Sequence, residues 1–369
     1  MTPLVKKELR CGYTTGACAA AAAKGAAQML RDQRLVDRVE ICLPGGGAAV
    51  FSLQGQRLTD AGASCFVVKD AGDDPDVTNG AEIHAAISVE YFTPHRILLK
   101  GGEGVGRITK PGLALPVGEW AINPVPRTMI MTGIKEVLAM RCIPATFTVT
   151  VSIPGGEQLA KRTLNERLGI IGGLSILGTT GIVKPVSVAA WTDCIDCAVD
   201  VALACGAMTV VFSTGRTSEL VAQKLLGAGA GGGLSGNALK EEAYVMMGDH
   251  VGYALRSATR KGAGRAVIAG QFAKLLKIAC GNEQTHVSSS ELELKNLAEW
   301  LRLEPRTSNL EPLARQANTA RQLLLESGND PMLVALVCCK AQEAAERMAP
   351  GLGVSVLLAG YGGEVLHYG

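Results

Sequence analysis

The chain has 369 residues, 47% of them hydrophobic, which excludes a disordered chain and leaves room for two or three domains with ample core. Its 36 basic and 34 acidic side chains leave a net charge of only +2, which gives no electrostatic footprint for nucleic acid. Its 11 cysteines are odd in number and irregular in spacing, which excludes a disulfide scaffold and points to a reducing, cytoplasmic setting, and no apolar run reaches membrane-spanning length.

In chain order, a turn at Gly12–Gly16 leads into a helix beginning near Ala17, with Thr14 or Thr15 as its cap. The run Ala17–Ala23 is too short and too weakly apolar for a signal-peptide core, and Lys24 ends it. Strands are expected at Val39–Leu43, Ala48–Leu53, Ser64–Val68, Ile83–Tyr91, Arg96–Leu99 and Phe147–Ile153, several showing period-two alternation, with a helix at Thr132–Met140. Residues 1–160 therefore read as an α+β domain. From about Asn165 apolar strands alternate with helices. The expected strands are Leu174–Leu177, Met208–Ser213, Ala243–Met247 and Arg265–Ala269; the expected helices are Val186–Cys205, Ser218–Leu226, Val251–Arg260 and Phe272–Cys280. This alternation predicts a Rossmann-like α/β domain with a mainly parallel sheet over residues 161–369, and ligands beyond the carboxyl ends of its strands. Helices at about 290–302, 311–327 and 331–348 and a strand Val354–Leu358 close the chain.

Several loops offer chemistry. The start of the first helix, at Thr14, Thr15 and Gly16, is an anion site by its free N–H groups and dipole, or an ordinary capped packing helix. The segment Gly172-Gly173-Leu-Ser-Ile-Leu-Gly178-Thr179-Thr180-Gly181 reads as an apolar strand ending in a glycine–threonine turn, the first strand-to-helix crossover of the alternating half. Glycine there lets backbone touch a ligand, and the threonines offer donors and acceptors. An acidic residue after the second strand completes the usual nucleoside signature; that strand ends Ser213-Thr-Gly215-Arg216, with Glu219 only later. Asp249, after the third strand, is a further candidate for a ribose or amine contact. Gly227-Ala-Gly229-Ala-Gly231-Gly232 matches GxGxxG but follows a helix, the wrong context for a dinucleotide.

Asp70, Asp73, Asp74 and Asp76 crowd one loop, either a solvated acidic turn or a site facing a cation or donors. The calcium-loop spacing fails there. The five histidines form no HxH or HExxH pair, so no metal site is expected. His286, in a polar loop, is the functional candidate among them. Cys194 and Cys197 form a lone CxxC inside a helix and read as packing.

The segments 12–24, 69–78, 101–113, 121–127, 153–157 and 172–183, taken in order, resemble the CbiD family, the cobalt-precorrin-5B C(1)-methyltransferases of anaerobic cobalamin biosynthesis. The resemblance implies S-adenosylmethionine as methyl donor, and cobalt only as part of a tetrapyrrole substrate. On that basis residues 161–369 are expected to bind the donor, through Gly172, Gly173, Gly178, Thr179, Thr180, Gly181 and Asp249, and residues 1–160 the substrate. Carboxylates of the ring would be received at Thr14, Thr15, Gly16, Lys110 and Arg127, with Asp70 and Asp74 also on the substrate, and Asp73 and His286 as catalytic candidates. The expected partners are the tetrapyrrole, a second copy in a homodimer and, transiently, neighbouring enzymes of the pathway. A non-catalytic tetrapyrrole carrier and a metal-dependent phosphoryl-transfer enzyme are the competing readings.

Overall fold

The computed structural model describes residues 9–138, 145–227, 238–286 and 294–369. The chain is of mixed α and β structure and divides into two compact units, Met1–Ser187 and Val188–Gly369. The division therefore falls after Ser187, later than the boundary at residue 160 expected from the sequence.

The first unit runs β1 (Gly12–Tyr13), α1 (Thr15–Asp32), β2 (Arg38–Cys42), β3 (Ala48–Ser52), β4 (Gln54–Thr59), β5 (Gly62–Val68), β6 (Glu82–Tyr91), β7 (Arg96–Gly101), β8 (Arg107–Ile108), α2 (Pro124–Leu138), β9 (Ala145–Ser152), α3 (Gly156–Ala160), β10 (Ile170–Ile171) and β11 (Ile182–Val183). Its main sheet has the order β4-β5-β6-β9-β7 and is antiparallel except where β7 joins β9. Alternate residues of its strands, Cys65 and Val67, Ile83, Ala85 and Ile87, Phe147, Val149 and Val151, are buried in one core with α1. Burying each Val, Ile or Phe side chain contributes roughly 1.5–3 kcal/mol. From Thr15 to Leu30 only Lys24 and Gln28 of α1 escape full burial. Its small residues admit neighbours at close range: a Cβ on Gly16 would lie 2.6 Å from the Pro126 ring of α2, and one on Gly133 of α2 3.3 Å from Lys24. The close approach that this helix permits is thus used by protein.

The second unit runs α4 (Val188–Ala204), β12 (Thr209–Ser213), α5 (Arg216–Leu226), β13 (Tyr244–Met246), α6 (Val251–Lys261), β14 (Arg265–Gly270), α7 (Phe272–Ala279), α8 (Leu294–Leu303), α9 (Glu311–Gln316), α10 (Ala320–Glu326), α11 (Pro331–Met348), β15 (Gly353–Ala359) and β16 (Val365–Tyr368). The sheet order is β13-β12-β14-β15-β16, with the first four strands parallel and β16 antiparallel. Val210 and Phe212 pack with α6, α7 and α11 on one face, whereas Val211 packs with Val221 and Ala222 of α5 on the other. Both faces are covered, which is why the strands read as near-continuous apolar runs. Among the described residues, no helix is long and apolar enough to cross a membrane.

Two expectations about elements change. Leu174–Leu177 is no strand of the parallel sheet: it belongs to the first unit, where Leu174 and Ile176 form isolated bridges with Val105 and Ile122. An apolar run carries no information on which sheet it joins. The expected helix at 311–327 is two, because Thr319 turns extended and its side chain accepts from the Gln322 N–H, starting α10 afresh. The glycine repeat after Gly227, the end of the helix expected at Thr132–Met140 and the start of the helix expected at 290 lie outside the described residues.

Candidate functional site

In the first unit, segments far apart in sequence meet at the start of α1. Thr14 is extended (φ −75°, ψ 161°) and its hydroxyl accepts from the Ala17 N–H at 3.2 Å. The Thr15 hydroxyl accepts from the Leu177 N–H at 2.9 Å, the Gly16 N–H donates to the Leu177 carbonyl at 2.9 Å, and the Thr14 N–H donates to the Gly181 carbonyl at 3.0 Å. The turn Gly178–Gly181 thus closes over the helix start. Gly178 sits at φ +125°, and a Cβ there would lie 2.4 Å from the Thr14 hydroxyl oxygen. Gly173 is buried against Gly104, while Gly172, Thr179 and Thr180 are exposed. This corrects the expected anion site. Thr14, Thr15 and Gly16 are buried, and the chain's own Leu177 carbonyl takes the place foreseen for a ligand. The turn Gly178–Gly181 is likewise not a strand-to-helix crossover of the parallel sheet.

The acidic loop is held by donors of the chain. Asp70 makes a two-point pair with Arg10, at 2.5 and 2.8 Å, and this hydrogen bonding holds its carboxyl down at about 2. Asp73 accepts from the Arg10 N–H at 2.7 Å, and Asp74 from the Val186 N–H at 3.1 Å. Asp76 bonds the buried Lys69 at 2.7 Å and accepts twice from Thr78; burial works against its charge, but these bonds hold its carboxyl below the usual range. Elsewhere in this unit Lys110 donates to the Arg167 carbonyl at 3.3 Å. Arg127 pairs with Glu119 at 3.1 Å, and its Nε is buried without a partner among the described residues. A cavity of about 430 Å³ lies between α1, α2 and the β2 strand, lined by Ala20, Lys24, Leu43, Pro124, Met129 and Glu136 among others; no residue singled out from the sequence lines it.

In the second unit the carboxyl ends of β12, β13 and β14 lead through short turns into α5, α6 and α7. The Met247 and Gly248 N–H groups donate to the Ser213 carbonyl at 3.0 and 3.3 Å, and the Thr214 N–H to the Ala269 carbonyl at 3.0 Å, binding the three turns together. Asp249 is partly buried. Burial opposes its charge, but hydrogen bonds from Lys274 and from Thr285 (2.6 Å), with the charges of Lys274 and His286, hold its carboxyl below the usual range. Both bonds fall on Oδ1; Oδ2 accepts nothing from the described residues. Lys277 is buried with its amine on the Thr285 carbonyl at 3.1 Å, and burial, then Lys274, push it down. Ser213, fully buried at the end of β12, has a hydroxyl with no partner among the described residues.

With Leu174–Leu177 outside the sheet, β12 is its first strand and β13 its second. Asp249 therefore follows the second strand, the place where a nucleoside site carries its acid. Sequence reasoning named Asp249 but passed over Ser213, Thr214, Gly215, Lys274 and Thr285. The strand–turn–helix run Val211–Arg216 carries the local signal, and the apolar run Leu174–Leu177, which resembles a preceding strand, masks its place as the first. Of the two catalytic candidates, Asp73 is in the first unit and His286 in the second.

A family model described as CbiD matches residues 2–185. Proteins from Geotalea daltonii and Geobacter sulfurreducens, each named cobalt-precorrin-5B C(1)-methyltransferase, are 63% identical to this chain over 98% of it and 99% of their own length. The chain belongs to the CbiD family. The model match ends just short of the division between the units, and the full-length relatives carry the CbiD likeness through the second. A crystal structure of a cobalamin biosynthesis protein (cbiD) from Archaeoglobus fulgidus is 29% identical, covering 74% of this chain and 81% of that one, with a TM-score of 0.40.

Proposed function

We propose that this CbiD protein is a cobalt-precorrin-5B C(1)-methyltransferase that uses S-adenosylmethionine. The observation that carries the reading is 63% identity, sustained over 98% of the chain, to relatives of that name. The second unit supports the choice of donor. It has helices on both faces of a mainly parallel sheet, an acid after the second strand and, at the end of the first, a buried hydroxyl without a partner among the described residues, which supports the Rossmann-like reading. These groups fit a nucleoside with an amino-acid tail.

S-adenosylmethionine supplies an electrophilic methyl group on a sulfonium. The acceptor is a carbon of an electron-rich ring, so the substrate brings its own nucleophile and no side chain has to act as a strong base. What the chain contributes is alignment of the reacting atoms at roughly 3–3.5 Å and exclusion of water. Asp249, kept ionised, offers Oδ2 to a ribose hydroxyl. Lys274 and Thr285 fix its rotamer, and His286 is the catalytic candidate of this unit. In the first unit Arg127, whose Nε has no partner among the described residues, receives a carboxylate of the ring, Lys110 is the second cation for that role, and Asp73 holds its remaining oxygen for a polar contact to the substrate. The test is incubation with cobalt-precorrin-5B and methyl-labelled S-adenosylmethionine, followed by mass analysis of the tetrapyrrole. Gain of one labelled methyl is expected. Retention of an unmodified tetrapyrrole on the protein would replace the enzyme with a carrier.

A further inference from the structure

We infer that Ser213 and the open first turn of α5 form the seat for the carboxylate at the amino-acid end of the methyl donor. The inference rests on the donor reading above and gives it an anchor that the sequence did not reveal. Topology comes first. The chain passes from β12 to β13 on one side, by way of α5, and then returns across to β14 on the other side, by way of α6. Because α5, leaving the carboxyl end of β12, packs on one face and α7, leaving the carboxyl end of β14, packs on the other, the chain parts between these strand ends, and that parting is where open α/β sheets take ligands.

The first turn of α5 faces this point with its polar groups uncommitted. Its cap, Gly215, is extended and brings no side chain to the helix. The N–H groups of Arg216, Thr217 and Ser218 meet no acceptor among the described residues. A Cβ on Gly215 would find nothing within 4 Å, so space is open above the turn. A helix start alone would only say that an anion is welcome. Ser213 makes the second, independent case. It alternates with Phe212 and so shares the face of Val211, the face on which α5 packs. Its hydroxyl therefore lies on the α5 side of the sheet at the end of β12, sealed from water and without an acceptor among the described residues. A buried hydroxyl of this kind is costly to leave unmade, and an acceptor entering at the turn satisfies it.

The charge of the turn selects the anion. Glu219, fully buried in the first turn of α5, already places one carboxylate there, paired with Arg216 at 2.5 Å. A second, doubly charged group such as phosphate would be repelled, whereas the singly charged end of a zwitterionic amino acid is not. Three N–H groups and one hydroxyl suit the two oxygens of a carboxylate.

The experiment is calorimetric binding of S-adenosylhomocysteine and of methylthioadenosine, which lacks the amino-acid end, to the full chain. Ser213→Ala should weaken S-adenosylhomocysteine by about tenfold or more, the worth of a hydrogen bond to a charged group, and leave methylthioadenosine within about twofold. Gly215→Val, which fills the open space without touching the fold, should give the same split. Melting curves of both variants matching the parent chain exclude misfolding as the cause. If the parent chain binds both nucleosides and the variants lose both equally, or neither, the seat is overturned and the donor reading stands. If the parent chain binds neither nucleoside, the donor reading itself falls, and the seat with it.

Discussion

The ion pair of Lys69 with Asp76 shows how a cluster of acids can be structural. The Lys69 side chain is 1% exposed, and its amine bonds Asp76 at 2.7 Å. Removing one partner of a buried pair strands the other in a low-dielectric interior, so Asp76→Ala should destabilise the protein by roughly 3–5 kcal/mol in denaturant melts. The double change Lys69→Met with Asp76→Leu should recover most of that loss; equal losses in the two variants would show that the pair is not what the loop depends on. Asp70 behaves differently because it is exposed. Its carboxyl is held at about 2 by the hydrogen bonds from Arg10, so the folded value is depressed below the unfolded one. The stabilisation is then complete above about pH 4 and is lost as pH falls towards about 2. Asp70→Asn should flatten the acid limb of the stability profile in that window alone, and only slightly, since water screens the pair. An unchanged acid limb would show that the Arg10 contact adds nothing in solution.

At the scale of the element, α1 shows what an alanine-rich sequence is for. Glycine and alanine along one helix let α2 and the sheet come within contact of its backbone, at the expense of intrinsic stability at Gly16 and Gly25. A Cβ on Gly16 would lie 2.9 Å from the Leu177 carbonyl as well as against Pro126, and neither neighbour can swing away. Gly16→Ala should therefore cost about 1–3 kcal/mol by overpacking, against a gain expected from helix propensity alone. A melting temperature that rose would mean the crossing is loose. The elements most legible in the sequence are those with local signals. Asp330 and Pro331 start α11 with a side-chain cap and a fixed φ, and β5, β6 and β9 show alternation over one core. The elements misread lack such signals. Gln54–Thr59 forms the edge strand β4 with no buried face, so period-two reading passes over it. The first turns of α2 carry Pro124 and Pro126, which read as a loop although a helix start tolerates proline.

For the molecule as a whole, the hardest thing to read was where one unit stops. Leu174–Leu177 has the composition of a buried strand, and nothing in its own residues distinguishes a strand of a parallel sheet from a segment buried against the start of α1. That single assignment moved the expected donor site to Gly172–Gly181 and left β13 without its place as second strand. Asp249 is legible in the sequence because an acid after a strand is visible locally. Ser213 is not, since the lack of a partner for its hydroxyl among the described residues is a property of the fold. The two placements of the donor make opposite predictions for hydrogen exchange. Saturating S-adenosylhomocysteine should slow exchange of the backbone amides at Thr214–Glu219 and Met247–His250, because a ligand that accepts from α5 and packs on the Asp249 turn must suppress their opening. The amides of Gly178–Gly181, a turn whose Thr180 and Gly181 carbonyls already accept from Gly45 and Thr14, should exchange at their ligand-free rate. Protection confined to Gly178–Gly181 would return the donor to the first unit and make the carboxyl edge of the parallel sheet a structural feature only.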